Sequence, residues 1–381
     1  MKGVVMLVNY FPPLPTGGAE RQAERLATYL ASKNVSTGVM TRRVGSLPAF
    51  EKRDGFSVYR LTQVGPGKLK TLSFTIAAIF SLLRLRSTYD ILHAHLAFSP
   101  AIAAALAGKL LNKRVIVKFG NSDAFGDIQS SQKTWRGRLR LAILRRWADV
   151  CIALDEEMHR EILGAGFPAD HVVRMNNGID TARFSPNADK NAAKQSLGLA
   201  GKTVILYTGR LVPQKALHHL LPALKSALTT CPDLHLLMIG QGEERDSLVS
   251  LANGLGIQSA VTFIDQVADV RPYLSAGDIF VLPSLAEGIS NSLLEAMASG
   301  LACVATRVGG STEVLGRGEY GLLVEPGNVE ELTAALVRLG SSREERSRLG
   351  DTARRVMVEK YDFQVVGRQY HELYLRLLGK A

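Results

Sequence analysis

Apolar residues in this chain fall in short runs rich in Val, Ile and Leu, separated by longer stretches whose apolar positions recur at helical spacing. A strand buried on both faces reads as an unbroken apolar run, whereas a crossover helix keeps one polar side, so the alternation predicts parallel sheets built from βαβ units. Strands are expected at 4–8, 91–95, 114–119, 149–154 and 172–175 in the first half. In the second they are expected at 203–208, 235–239, 261–265, 279–283, 302–306 and 321–324. The segment 178–202 contains Pro186, Asn187 and a short Ala/Lys-rich helix but no long apolar run, and it reads as a linker. The fold class expected is α/β, with two doubly wound, Rossmann-like domains. They cover 1–185 and 203–360, joined by 186–202 and followed by a helical segment at 361–381. Each domain of this kind offers a ligand crevice at the carboxyl ends of its strands, so the active site is expected in a cleft where two such crevices face one another.

Composition agrees with a folded globular protein, at 46% hydrophobic and 21% charged over 381 residues. The longest nearly apolar stretches, 72–83 and 96–107, fall well short of the roughly 20 residues that cross a bilayer, so no membrane span is expected. Met1-Lys2-Gly3 leads straight into the first strand without a secretory apolar region, which predicts a cytoplasmic location. Cys151, Cys231 and Cys303 are far apart and form no C-x-x-C pair; they read as small buried hydrophobes. The net charge of +11 is more telling when divided. Residues 1–187 hold 26 Lys+Arg against 14 Asp+Glu, while the remainder is nearly balanced at 20 against 21. The first half therefore suits an anionic partner.

Candidate chemistry clusters after particular strands. The first strand runs into a proline-rich loop that closes on Gly17-Gly18 before a helix, where a phosphate can approach backbone amides; a plain turn and N-cap is the other reading. Strand 203–208 runs into Gly209-Arg210-Leu211 and then Lys215, a guanidinium fork and a compact ammonium that together match a diphosphate, unless both are ordinary surface residues. Strand 279–283 is followed by Glu287, Gly288, Ile289 and Ser290, with Glu295 on the next helix. There a helix N-terminus can receive an anion while two carboxylates accept hydrogen bonds from sugar hydroxyls, or the acids simply favour the helix dipole.

Gly17-Gly18-Ala19-Glu20, Gly209-Arg210-Leu211 with Lys215, and above all Glu287 and Glu295 at an E-x7-E spacing resemble the family-4 retaining glycosyltransferases of the GT-B fold. The likeness runs in order along nearly the whole chain and includes Asn177-Gly178-Ile179-Asp180 and Phe184. It implies that Arg210 and Lys215 neutralise the diphosphate of a UDP- or GDP-sugar and that Glu295 holds the ribose. It also implies that Glu287 and the backbone of Gly288, Ile289 and Ser290 face the donor sugar and its phosphates, with Gly17 and Gly18 closing from the acceptor domain. A C-terminal helix near 363–378 is expected to return to the first domain.

Two positions depart from that pattern. Relatives often carry His-Gly after the third strand, where this chain has Phe119-Gly120, so a general base is sought instead in Asp123, Asp127 or His95. His93 and His95 share a strand face and could equally be core residues. Ala216 follows Lys215 where relatives often have Gly. No Asp-x-Asp occurs, so no metal is expected on the diphosphate. Six cations and two tryptophans in 133–147, with Lys68, Lys70, Arg84 and Arg86 bracketing another apolar segment, suit an anionic membrane surface; an ordinary amphipathic helix is the alternative. Nucleic acid is not expected, because no recognition motif accompanies the charge. The expectation is a metal-independent retaining glycosyltransferase, peripheral at the inner membrane face, acting on a lipid-linked or polysaccharide acceptor. The rivals are a nucleotide-sugar epimerase of similar architecture and a non-catalytic membrane-surface scaffold that keeps a nucleotide site.

Overall fold

The computed structural model describes residues 1–14, 17–120 and 126–380. They fall into two compact units, Met1–Gly178 with Phe363–Ala381, and Ile179–Asp362. In chain order, unit 1 contains β1 (Gly3–Leu7), α1 (Gly18–Ser32), β2 (Ser36–Arg42), β3 (Phe50–Arg53), β4 (Phe56–Leu61), α2 (Gly67–Arg84) and β5 (Ile91–His95). It continues with α3 (Ser99–Leu111), β6 (Arg114–Lys118), α4 (Asp127–Gln132), α5 (Trp135–Trp147), β7 (Val150–Ala153), α6 (Glu156–Gly164) and β8 (Val172–Arg174). Unit 2 contains α7 (Lys190–Ser196), β9 (Thr203–Thr208), α8 (Leu217–Leu228), β10 (Leu234–Ile239), α9 (Arg245–Gly254), β11 (Val261–Ile264), α10 (Arg271–Ala276) and β12 (Ile279–Leu282). It ends with α11 (Asn291–Ala298), β13 (Ala302–Thr306), α12 (Gly309–Val314), β14 (Leu322–Val324), α13 (Val329–Ser341) and α14 (Arg343–Val356), after which α15 (Phe363–Leu377) rejoins unit 1.

Among the described residues, unit 1 is built on an eight-stranded sheet in the order β3-β4-β2-β1-β5-β6-β7-β8, parallel except for the β3–β4 pair. Unit 2 has the order β11-β10-β9-β12-β13-β14, parallel throughout. β1, β5, β12 and β13 are buried along their whole length, which is why they read as continuous apolar runs. The unit 1 strands β2, β3 and β4 were not among the sequence expectations. β3 is Phe-Glu-Lys-Arg, and β4 alternates in Phe56-Ser57-Val58-Tyr59-Arg60-Leu61, where Arg60 is buried and paired with Glu51.

The chain passes between units at Gly178/Ile179 and again at Asp362/Phe363, where the sequence reading places a linker at 186–202 and a terminal segment from 361. Gly178 is held in unit 1 from both sides of its peptide group: its carbonyl accepts from Gln22 Nε2 (2.8 Å) and Arg25 Nη1 (3.0 Å), and its amide donates to Gln22 Oε1 (2.9 Å). A Cβ there would lie 2.5 Å from the Phe363 ring, so only glycine fits. Inside unit 2, Ile179 N donates to the Tyr361 carbonyl (2.8 Å). There Arg354 Nη1 lies 2.9, 2.7 and 2.9 Å from the carbonyl oxygens of Thr181, Phe184 and Ala298.

One guanidinium thus fixes the 181–184 segment to the end of α11. Arg354→Met leaves three carbonyls short of a charged donor and is expected to cost about 2–4 kcal/mol, a fall in Tm of roughly 5–15 °C. An unchanged thermal transition in the purified variant would remove Arg354 from the account of this unit's stability.

Candidate active site

In unit 2 the strand order reverses between β9 and β12, since β10 lies beyond the first and β13 beyond the second. At such a switch point the following loops diverge and leave a crevice at the strand ends. Here the loops are 209–216 and 283–290, and they are tied together. Leu285 N donates to the Gln214 carbonyl (2.9 Å), and Gln214 Nε2 donates to the Ala286 carbonyl (2.9 Å). Lys215 Nζ forms an ion pair with Glu287 Oε1, which also accepts from Ser284 Oγ (3.0 Å). The two side chains are only 12% and 8% exposed. Ala216 turns the chain at φ +48°, a left-handed conformation that a glycine adopts without steric cost.

Arg210 is exposed at this edge, and its carbonyl accepts from the buried Tyr207 hydroxyl (2.8 Å). Among the described residues its guanidinium has no protein partner. Ser290 is the N-cap of α11, but its hydroxyl faces Ser292 Oγ (3.0 Å) and caps no helix amide. Gly288 and Ile289 are buried just ahead of it, and Glu295 is buried on α11. The crevice therefore gathers Arg210, the Lys215–Glu287 pair and the amide end of α11, a set of donors suited to an anion beside a carboxylate suited to hydroxyls.

Three glycines shape this edge and were not singled out in the sequence. A Cβ on Gly240 would lie 1.8 Å from the Gly209 carbonyl oxygen, and one on Gly242 would lie 2.0 Å from that of Leu211. The loop between them is pinned by Leu211 N to the Gln241 carbonyl (2.9 Å) and by Glu244 N to the Leu211 carbonyl (3.0 Å). A Cβ on Gly310 would lie 2.7 Å from the Gly288 carbonyl oxygen, so α12 backs directly onto the Glu287–Ser290 turn. Their position just past strand ends is the signal that was available.

Unit 1 has its own reversal, between β1 and β5. Gly17 is the N-cap of α1 and Gly18 its first residue. His95 ends β5, yet it is a packed interior residue, 1% exposed. Its ring stacks on His93 at 4.3 Å between centroids, and neither of its nitrogens has a hydrogen-bond partner among the described residues. Burial, with His93 and Lys118 nearby, holds its pKa well below the usual histidine range, so the ring is neutral. A general base must reach the proton it takes, and in this structure His95 sits in the core, the other reading the sequence left open.

Lys118, also buried, donates to Asn177 Oδ1 (2.8 Å), and desolvation lowers its pKa to about 7. Asp127 is buried at the start of α4; its Oδ2 accepts from Ala97 N (3.2 Å) and Gly120 N (3.1 Å), pinning the loops after β5 and β6. Burial raises its pKa to about 6. Phe119 packs edge-on against Phe167. Asp123, the remaining candidate base, lies outside the described residues.

The 133–147 segment divides in use. Arg140 points inward, its guanidinium 4.8 Å from the Phe98 ring centroid and donating to Ser131 Oγ, and Trp147 is half-buried. Trp135 and Leu139 are exposed. Among the described residues no helix is long and apolar enough to cross a membrane.

Known proteins share both halves. Residues 202–342 match the family model for glycosyl transferases group 1, and residues 16–183 match that for Glycosyltransferase Family 4. The chain is 26% identical over 294 residues to N-acetyl-alpha-D-glucosaminyl L-malate synthase of Bacillus anthracis, covering 77% of this chain and 76% of that protein. It is 25% identical over 386 residues to the GDP-mannose-dependent alpha-(1-6)-phosphatidylinositol monomannoside mannosyltransferase of Mycolicibacterium smegmatis, covering 97% of each. The crystal structure of Anabaena HepE in complex with UDP is similar in fold, with a TM-score of 0.80 at 21% identity over 98% of this chain and 99% of that one. With both family models matched in order and two doubly wound units to carry them, the chain belongs to the family-4 glycosyltransferases and has the GT-B fold.

Proposed function

We propose that this glycosyltransferase moves a sugar from a UDP- or GDP-sugar to a lipid-linked or polysaccharide acceptor at the inner membrane face, with retention at the anomeric carbon and without a metal. The observation that carries the reading is the meeting of Arg210, the Lys215–Glu287 pair and the uncapped end of α11 at the switch point of unit 2. The names of the relatives support it, since one is a GDP-mannose-dependent phosphatidylinositol monomannoside mannosyltransferase and the Anabaena structure holds UDP. In this reading the leaving diphosphate lies at the N-terminus of α11, where Arg210 and Lys215 take up the charge that grows as the bond to the anomeric carbon breaks. Glu287 turns toward the donor sugar, and Glu295 holds the ribose. The sign of the sugar linkage is tested by NMR of the product formed from an α-linked donor, where an α-linkage is expected and a β-linkage would overturn retention.

The two cations are expected to differ in a way that separates chemistry from folding. Arg210→Ala removes an exposed charge and should lower turnover by about 10–150-fold with the thermal transition unmoved. Lys215→Ala also strands the buried Glu287 carboxylate, so it should lower both turnover and stability, whereas Lys215→Ala combined with Glu287→Gln should recover stability and not turnover. Wild-type turnover in both single variants would sink the assignment to the diphosphate.

In this reading the protein cations do for the diphosphate what a divalent ion would do, so turnover should persist in excess EDTA. Activity lost on chelation and restored by magnesium or manganese would contradict this site.

A further inference from the structure

Helix α2 has two apolar faces. Phe74, Thr75, Ala78 and Leu82 are buried in unit 1. On the other side Leu69, Leu72, Ile76 and Phe80 are 60%, 56%, 59% and 55% exposed. At about 100° per residue these four fall within an arc of roughly 80°, directly opposite the buried face, and the stripe runs for about 17 Å along the helix. Val64, just before the helix, is exposed as well. Scattered exposed apolar side chains need no explanation, but a continuous row of large ones on a single helix does.

Charge identifies what covers it. Lys68 and Lys70 flank the stripe at its start and Arg84 and Arg86 at its end, all four exposed, with the Arg84 guanidinium 4.4 Å from the Phe80 ring centroid. From Gly55 to Tyr89 there is no Asp or Glu, and from Gly55 to Ser122 Asp90 is the sole acid among nine Lys and Arg. A second copy of this chain is a poor occupant, because any twofold pairing of the stripe sets cations against cations with no acid in the segment to offset them. The side chains also stand out as a ridge on one helix rather than lining a groove between two. A ridge of Leu, Ile and Phe ringed by cations fits a soft apolar layer beneath an anionic surface.

We infer that α2 is a membrane-docking element, inserting Leu69, Leu72, Ile76 and Phe80 among the acyl chains of an anionic bilayer while Lys68, Lys70, Arg84 and Arg86 contact its phosphates. The inference deepens the proposed action at a membrane, resting on that reading only for its purpose, and it moves the principal contact from the 133–147 segment to α2.

The test is flotation of the full chain with vesicles of phosphatidylcholine alone and of phosphatidylcholine with 30% phosphatidylglycerol. Release of nucleoside diphosphate from a panel of UDP- and GDP-sugars is measured in parallel. Wild-type protein should float with the anionic vesicles at low salt and not with the neutral ones. Leu72→Gln with Ile76→Gln and Phe80→Gln should lower vesicle affinity more than tenfold with an unchanged circular dichroism spectrum and unchanged nucleotide release, because the substituted side chains are exposed. Lys68→Gln with Lys70→Gln should lower it by roughly fivefold per cation removed. A triple variant that binds as well as wild type overturns the proposal. So does wild-type protein that ignores anionic vesicles, or a wild-type dimer that the triple variant dissolves. Nucleotide release absent with every donor while vesicle binding follows the prediction would instead count against the donor reading alone.

Discussion

The Lys215–Glu287 ion pair spans the place where unit 2 changes direction. Loops that follow β9 and β12 belong to crossovers that diverge at the switch point, so nothing in the sheet itself holds them together. The pair does so, with Gln214 stitching the backbone on either side. Two charges so little exposed forfeit hydration that their mutual attraction roughly returns, which makes the pair a weak source of net stability and a costly one to break from one side. Its value lies in position. It holds an ammonium and a carboxylate, both largely desolvated, in the crevice loops that lead into α11, so little water has to be stripped from either group before it meets a ligand.

Unit 1 repeats the architecture and uses its reversal point differently. The polar groups there are turned inward: His93 Nδ1 lies 2.7 Å from the Tyr374 hydroxyl, and Lys118 sits 5.2 Å from the Tyr370 ring centroid. Burial lowers the pKa of His93 to about 3 and that of Lys118 to about 7, so the histidine is neutral at pH 7 and the lysine gives up part of its charge. Both tyrosines come from α15, the last helix of the chain, which therefore completes the core of the unit formed by the first residues. The same helix approaches α1 so closely that a Cβ on Gly367 would lie 2.6 Å from the Tyr29 ring.

What the sequence made legible follows from what burial does to pattern. Strands such as 91–95, 203–208 and 302–306 are buried on both faces, and their bounds could be read directly from runs of apolar residues. β2 to β4 escaped because their polar residues find partners that only the fold provides, as Arg60 finds Glu51 and the Pro12 carbonyl. The same limit governs the site. Arg210, Lys215 and Glu287 could be named from their types and places after strands, but the bond between Lys215 and Glu287 joins residues 72 apart and is a property of the crevice. His95 shows the converse, since a histidine at a strand end has the same letters whether it faces solvent or core. For Gly240, Gly242 and Gly310 position after a strand was a weak signal only, because what forbids a side chain there is backbone from a different loop.

Net charge is subject to the same distinction between count and placement. The surplus of twelve cations in residues 1–187 suggests a uniformly basic half, yet many of those groups are committed inside unit 1. Arg60 is buried with Glu51, Lys118 is buried against Asn177, and Arg140 turns inward to Ser131. Such groups shape the unit and present little to a partner. Lys68, Lys70, Arg84 and Arg86 differ, for they are exposed, lie in a stretch without acids and border the row of uncovered apolar side chains on α2. A cation attracts an anionic surface only weakly at physiological salt, and an apolar residue alone has no preference for one surface over another. On the membrane-docking proposal, their combination on one helix face supplies the attraction and the anchorage together, and the excess charge of the whole half matters mainly in bringing that face to the surface first.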